Sequence, residues 1–207
     1  MIGAKDVTKY YAGLTGEPFL FSESRILASF LAEGEDIELL RKRNVEENLI
    51  MHKKIGSLKR VSTPIFRRIT TMSPNMLKVF TGSDIDTSRI ALLVSIAKTD
   101  RIVRDFLVDV YADKLATKAS KIDRADIERY FESVYTEEPL IRDRSEQTKS
   151  KLKQQLMKIM AEAGLVKRQA DGFAITRPNI TTRLANQLTA DGDSEYLKAL
   201  SGEGGAL

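Results

Sequence analysis

The sequence predicts an all-α, mostly helical globular protein with two helix-turn-helix units, the second winged by one short β-hairpin. Three observations predict it. Apolar residues recur at helical spacing along almost the whole chain, and helix-opening residues stand in front of most of these runs. The strongest strand-pair signal is a pair of short runs, 165–168 and 173–176, flanking a turn that contains Asp171-Gly172.

The elements follow in order. "GLTGEP", 13–18, has two glycines but no Gly-Lys-Ser/Thr, so it is a turn into the first helix rather than a phosphate loop. "FSESRILASFLAEG" opens on Ser22 as N-cap and stops at Gly34, with Ile26, Leu27, Phe30 and Leu31 on one face. Asp36 opens a second helix. A third covers about 57–71 and completes the first helix-turn-helix unit, 36–71. On it Leu58, Val61, Ile65, Ile69 and Met72 share a narrow sector, while Lys59, Arg60 and Arg67 lie opposite, with Arg68 at the flank. Pro64 lacks a backbone donor and crowds the carbonyl of Arg60, which predicts a kink or a restart capped by Thr63. Ser73-Pro74 begins a short helix ending at Gly82. "DTSRIALLVSIAKT" is apolar nearly all round and is expected at the centre of the core. Asp100 caps a helix whose Ile102, Phe106, Leu107 and Val110 form an apolar stripe.

A change of character at 117–122 places a boundary between an N-terminal subdomain, 1–118, and a C-terminal one, 119–200. The latter reads as a helix over 123–133 capped by Asp123, a loop, a long helix over 145–163 opened by Ser145, and a wing over 165–176. A last helix covers roughly 181–189, and residues 201–207 form a disordered tail. On the long helix Leu152, Leu156, Ile159 and Ala163 face inward. Gln147, Lys151, Gln154 and Lys158 share another face, a stripe that suits a DNA groove: lysine reaches phosphates and glutamine can bond an adenine edge.

Charge is segregated rather than extreme. The net formal charge is +4. Residues 17–47 hold eight acids against four bases, yet between Glu47 and Asp84 there are seven Lys or Arg and no acid. Such a surface is the footprint expected for a polyanion partner. The candidate DNA contacts are Lys53, Lys54, Lys59, Arg60, Arg67 and Arg68 in the first unit. Those of the second are Arg142, Arg144, Gln147, Lys149, Lys151, Gln154 and Lys158, with Lys167 and Arg168 on the wing.

Much chemistry is excluded. There is no cysteine and one histidine, His52, so disulfides, thiolate zinc sites, thiol nucleophiles and His-based triads cannot be built. Glu46-Glu47 and Asp84/Asp86 lack the further carboxylates and lysine of a metal nuclease site. No catalytic residue, metal, cofactor or small-molecule substrate is expected. The longest strongly apolar stretch, 90–97, is far short of the about 20 residues that span a bilayer, so the expectation is a cytoplasmic protein without a membrane partner. Tyr10-Tyr11 and Phe19/Phe21 are expected in packing rather than on bases.

The order of the pieces also carries a resemblance. "YYAGLTGEPFLFSESRILASFLAEG", then "VEENLIMHKK", the basic helix, "SPNMLKVFTG", "SRIALLVSIAKTDRIVRDFLVDV" and finally "SEQTKSKLKQQLMKIMAEAGLV" together resemble the BrxA family of bacteriophage exclusion (BREX) defence systems, over about residues 8–176. The resemblance implies a small helical, non-enzymatic component of a multi-gene system that modifies host DNA and blocks phage. It further implies double-stranded DNA binding through helix-turn-helix elements, with Lys59, Arg60, Arg67 and Arg68 in the basic helix of the first unit. Other proteins of the same defence system are implied partners. Pro64 departs from the smooth helix such a unit would carry.

The expectation is therefore a duplex DNA-binding protein held mainly by phosphate contacts. The rivals are an RNA-binding protein, against which no aromatic platform for unstacked bases is apparent, and an adaptor docking acidic partner proteins. On this reading, replacing Arg67 and Arg68 together lowers the salt slope of binding by about 2 and leaves folding intact.

Overall fold

The computed structural model describes residues 9–203. A 3₁₀ turn, Ala12–Gly16, leads through an extended segment into α1 (Phe21–Ala32), α2 (Ile37–Glu47) and α3 (Ile55–Ile69). Then follow α4 (Pro74–Gly82), α5 (Ile85–Ala97) and α6 (Arg101–Asp105). A π-helical stretch, Phe106–Tyr111, continues α6 into α7 (Ala112–Ala116). Strand β1 (Lys121–Asp123) precedes α8 (Arg124–Glu137), α9 (Pro139–Arg142) and α10 (Glu146–Glu162). Strands β2 (Val166–Gln169) and β3 (Gly172–Ile175) form the hairpin, and α11 (Thr182–Ala190) and α12 (Ser194–Ser201) close the described chain.

Local chemistry accounts for most helix starts. Asp36, Asp84 and Asp100 each accept backbone N–H bonds from the first turn of their helices, and Ser73 caps α4 with Pro74 at its first position. Asp123 and Asp126 form a reciprocal capping box at α8, and Ser145 caps α10. The start of α1 differs from expectation. It begins at Phe21 without a side-chain cap, because Leu20 turns into it through a left-handed conformation (φ 55°). After a first turn that carries Asp86 and Arg89 into solvent, α5 is apolar nearly all round because it lies inside: Ile90 to Ala97 are all buried. The other helices wrap around it, and the buried side chains form one connected cluster.

Three departures from the sequence reading have physical causes. First, α3 runs through Pro64 without a restart: Thr63 is no cap, its Oγ1 donating instead to Lys59 O at 2.8 Å, and Ser62 Oγ donates to Leu58 O at 2.7 Å. Second, the expected hairpin is present but gains a third strand. A three-stranded antiparallel sheet has the order β1-β3-β2, and β1 was invisible because only Ile122 of its three residues is apolar and its partner lies 50 residues away. Third, Ser201 lies in α12 and Gly202 caps it in a left-handed conformation, so the helical structure reaches further than the expected tail; residues 204–207 of that tail lie outside the described residues. Helices α11 and α12 fold back from the hairpin onto α4, α7 and the π-helical stretch, crossing the expected boundary near 118.

The register fixes which hairpin residues share a face. Ile122 pairs with Phe173, and Phe173 with Arg168, so these three stand in one row across the sheet. Gly172 makes the row possible, since a Cβ there would meet Ile122 O at 2.6 Å. Gly172→Val should therefore detach β1 and lower stability by about 2 kcal/mol. Thermal unfolding checks this, and an unchanged midpoint would show that β1 tolerates a side chain at that point.

Candidate nucleic-acid interface

The first basic region divides in two. The turn between α2 and α3 is braced by Asn48, whose Oδ1 accepts His52 N–H at 2.8 Å and whose Nδ2 donates to His52 O at 3.0 Å. His52 Nε2 in turn lies 2.9 Å from Ser57 Oγ, which settles it as a structural residue of the turn. From this turn and the start of α3, Lys53, Lys54, Lys59 and Arg60 project into solvent, without an ion pair among the described residues.

The C-terminal half of α3 behaves differently, and here the sequence expectation is overturned. Arg68 is fully buried: Nη1 donates to Pro18 O at 2.7 Å and Phe19 O at 3.2 Å, and Nη2 to Glu17 O at 3.2 Å. Arg67 is ion-paired with Glu17 and largely covered. Burial, opposed by Glu17 and assisted by the neighbouring Arg67, pushes the Arg68 guanidinium down to about 10. Neither side chain is presented to a partner. The wheel placed Arg67 opposite the apolar sector and Arg68 at its flank, whereas α3 also buries Ser62, Pro64 and Phe66 and so has a core face far wider than one sector. The acid-free stretch finds part of its counter-charge in Glu17, 50 residues upstream.

In the second region α8, α9 and α10 follow one another with Leu152, Leu156 and Ile159 buried. Gln147, Lys151, Gln154 and Lys158 are all exposed along α10, as the spacing requires. Lys151 has no ion pair among the described residues, and Lys158 has only a 3.8 Å contact to Glu162 in which both side chains stay largely in water. Lys149 is drawn away from the stripe: it pairs with Glu146 at 2.8 Å and lies 5.1 Å from the centre of the Tyr135 ring. Arg142 bonds Asp143 and borders the same hollow as Glu128, Glu132 and Glu146, so both bases are locally neutralised. Arg144 is exposed. Lys167 and Arg168 are exposed too, on opposite faces of β2.

Between α8, α10 and the hairpin lies a cleft of about 860 Å³. Ile127, Met157, Ala161 and Phe173 give it an apolar floor, and Arg124, Lys158 and Arg168 stand at its edge, with Lys153 bonded to Glu128. Gln154 and Lys158 belong both to this cleft and to the exposed stripe. The sequence reading missed Arg124 and Phe173. Phe173 faces Arg168 across the expected hairpin, through the pairing of β3 with β2, whereas Arg124 follows directly on β1 and is brought to the cleft by the pairing of β1 with β3, for which the chain carries no local signal.

Replacing Arg68 by Met should cost about 3 kcal/mol, because three carbonyls and Glu17 lose a buried partner. Lys59→Ala/Arg60→Ala should leave the unfolding midpoint within a degree or two. Denaturant titration of the two variants checks the split of α3, and equal stabilities would contradict it.

Comparison with known proteins places the chain. The family model described as BrxA matches residues 8–192. A BREX protein BrxA of Bacillus cereus (strain H3081.97) is 25% identical over 94% of this chain and 97% of its own. A BREX protein BrxA of Paramagnetospirillum magneticum (strain ATCC 700264 / AMB-1) is 25% identical over 76% of this chain and 79% of its own. In fold, the chain is similar to the crystal structure of an uncharacterized protein from Magnetospirillum magneticum, with TM-score 0.78 and 20% identity over 94% of this chain and 99% of that one. The chain belongs to the BrxA family.

Proposed function

We propose that this protein is a non-enzymatic, double-stranded DNA-binding component of a BREX phage-defence system. The observation that carries the reading is the exposed stripe Gln147, Lys151, Gln154 and Lys158 on α10, flanked by Lys167 and Arg168 on the hairpin. The order strand, helix, short helix, longer helix, hairpin, with the first strand paired to the last, supports the winged-helix reading, in which α10 is the helix proposed to enter the major groove. The 17 residues of α10 give it several turns of contact. The first unit adds Lys53, Lys54, Lys59 and Arg60, bases that carry no carboxylate of their own and are free to take phosphates. Family membership supports the setting: the relatives named above are BREX proteins. Among the described residues no helix is long and apolar enough to cross a membrane.

A second reading, an adaptor for partner proteins of the same defence system, is favoured by one observation. Met51 is 81% and Ile55 61% exposed, side by side with Lys53 and Lys54, an apolar and basic tip of the kind an acidic protein surface would cover.

A salt titration with a short random-sequence duplex tests the choice. Six engaged cations give a logarithmic slope of about −5, from roughly −0.9 per phosphate. Lys151→Ala/Lys158→Ala and Lys59→Ala/Arg60→Ala should each reduce the slope by about 2 without altering stability, and duplex RNA of the same sequence should compete poorly. Salt-insensitive or absent binding moves the assignment to the adaptor.

A further inference from the structure

We propose that the cleft between α8, α10 and the hairpin receives a single unstacked nucleotide, its base on the apolar floor and its phosphate on the cationic edge. The inference rests on the duplex-binding reading and names what the same surface does where a strand is not fully paired.

The row fixed by the sheet register supplies the geometry. Ile122 is wholly covered, Phe173 is half-buried and Arg168 is exposed, so the row runs from the core to the lip of the cleft. Phe173 therefore offers aromatic surface partway down, with Met157 and Ile127 beside it. Apolar and aromatic surface of this kind holds any nucleobase, because every base has a π face. The volume, about 860 Å³, lies within the range of about 300–1,000 Å³ typical of small-ligand sites.

Charge supplies the other half. The lining holds four cations, Arg124, Lys153, Lys158 and Arg168, against one carboxylate, Glu128. Glu128 is taken by Lys153, and Asp171 nearby is taken by Lys121. That leaves Arg124 and Arg168, with Lys158 engaged only in its 3.8 Å, largely solvated contact to Glu162, around an apolar hollow, a combination suited to a ligand that is aromatic at one end and anionic at the other. Gln154 and Lys158 line both the cleft and the stripe proposed to face the duplex, so a nucleotide leaving the stack beside α10 has the cleft as its nearest destination. Unstacking costs least where the base is already unpaired, at a bulge, a frayed end or a junction.

The experiment compares full-length protein binding to a fully paired duplex and to the same duplex with one unpaired 2-aminopurine nucleotide, with thermal unfolding of each variant as control. The expected result is about tenfold tighter binding of the bulged duplex, the contribution of one base–aromatic stack, with a change in 2-aminopurine emission on binding. Phe173→Leu, which keeps apolar volume but removes the ring, should bring the bulged duplex down to the affinity of the paired one. Loss of the preference on adding millimolar AMP would assign the cleft to free nucleotides as well, whereas persistence would restrict it to nucleotides in a strand. Equal affinity for both duplexes with unchanged emission of the wild type overturns the proposal and leaves duplex binding standing. Failure to bind either duplex overturns the duplex reading itself.

Discussion

A single buried guanidinium anchors the extended segment on which α3 and α10 meet. The stretch Glu17–Phe19 belongs to no regular element, so its carbonyls need partners from elsewhere, and buried backbone acceptors left unpaired are costly. Arg68 supplies them with a planar fork of donors that reaches all three residues. Glu17 O also accepts from Gln155 of α10, at 3.3 Å. One extended segment is thus fastened to α3 on one side and α10 on the other, and the cost of keeping a cation dry shows in the lowered basicity of Arg68. Arginine suits this position where lysine would not, since one ammonium cannot address three carbonyls in a plane.

That constraint divides the basic residues of the chain into two populations. Arg67 and Arg68 serve the interior, Lys149 and Lys153 are occupied by carboxylates of their own neighbourhood, and Arg142 is held by the residue beside it. Lys53, Lys54, Lys59, Arg60, Lys151 and Arg168 project from the surface. A phosphate backbone can be met only by the second population, so the formal count of bases overstates the surface available to it.

The limits of what the sequence discloses follow the range of the interactions. Caps are local, so Asp36, Ser73-Pro74, Asp100, Asp123 and Ser145 could all be placed from the letters. The burial of α5 was legible because the run from Ile90 to Ala97 has no charged residue on any side and so has only one place to go. The stripe on α10 was legible because spacings of three and four fix a face whatever the rest of the chain does. What stayed hidden depends on partners far apart. Arg68 meets carbonyls some fifty residues away, β1 is a strand only because β3 comes to it, and the cleft exists only once that pairing has formed. Polarity was also a poor guide at α3, where a charged residue faces inward for the sake of backbone that is not its own.

The return of the last two helices sets an order on how the molecule can be made. α12 covers the π-helical stretch and α7, and α11 covers α4, so surfaces synthesised early are sealed by segments synthesised some ninety residues later. During translation, the side of residues 106–116 that α12 covers stays open until α12 has emerged from the ribosome, and contacts of such long sequence separation form late. A nascent chain halted after the hairpin would hold α10 in place with part of its interior open to solvent, the kind of exposed apolar surface that chaperones bind.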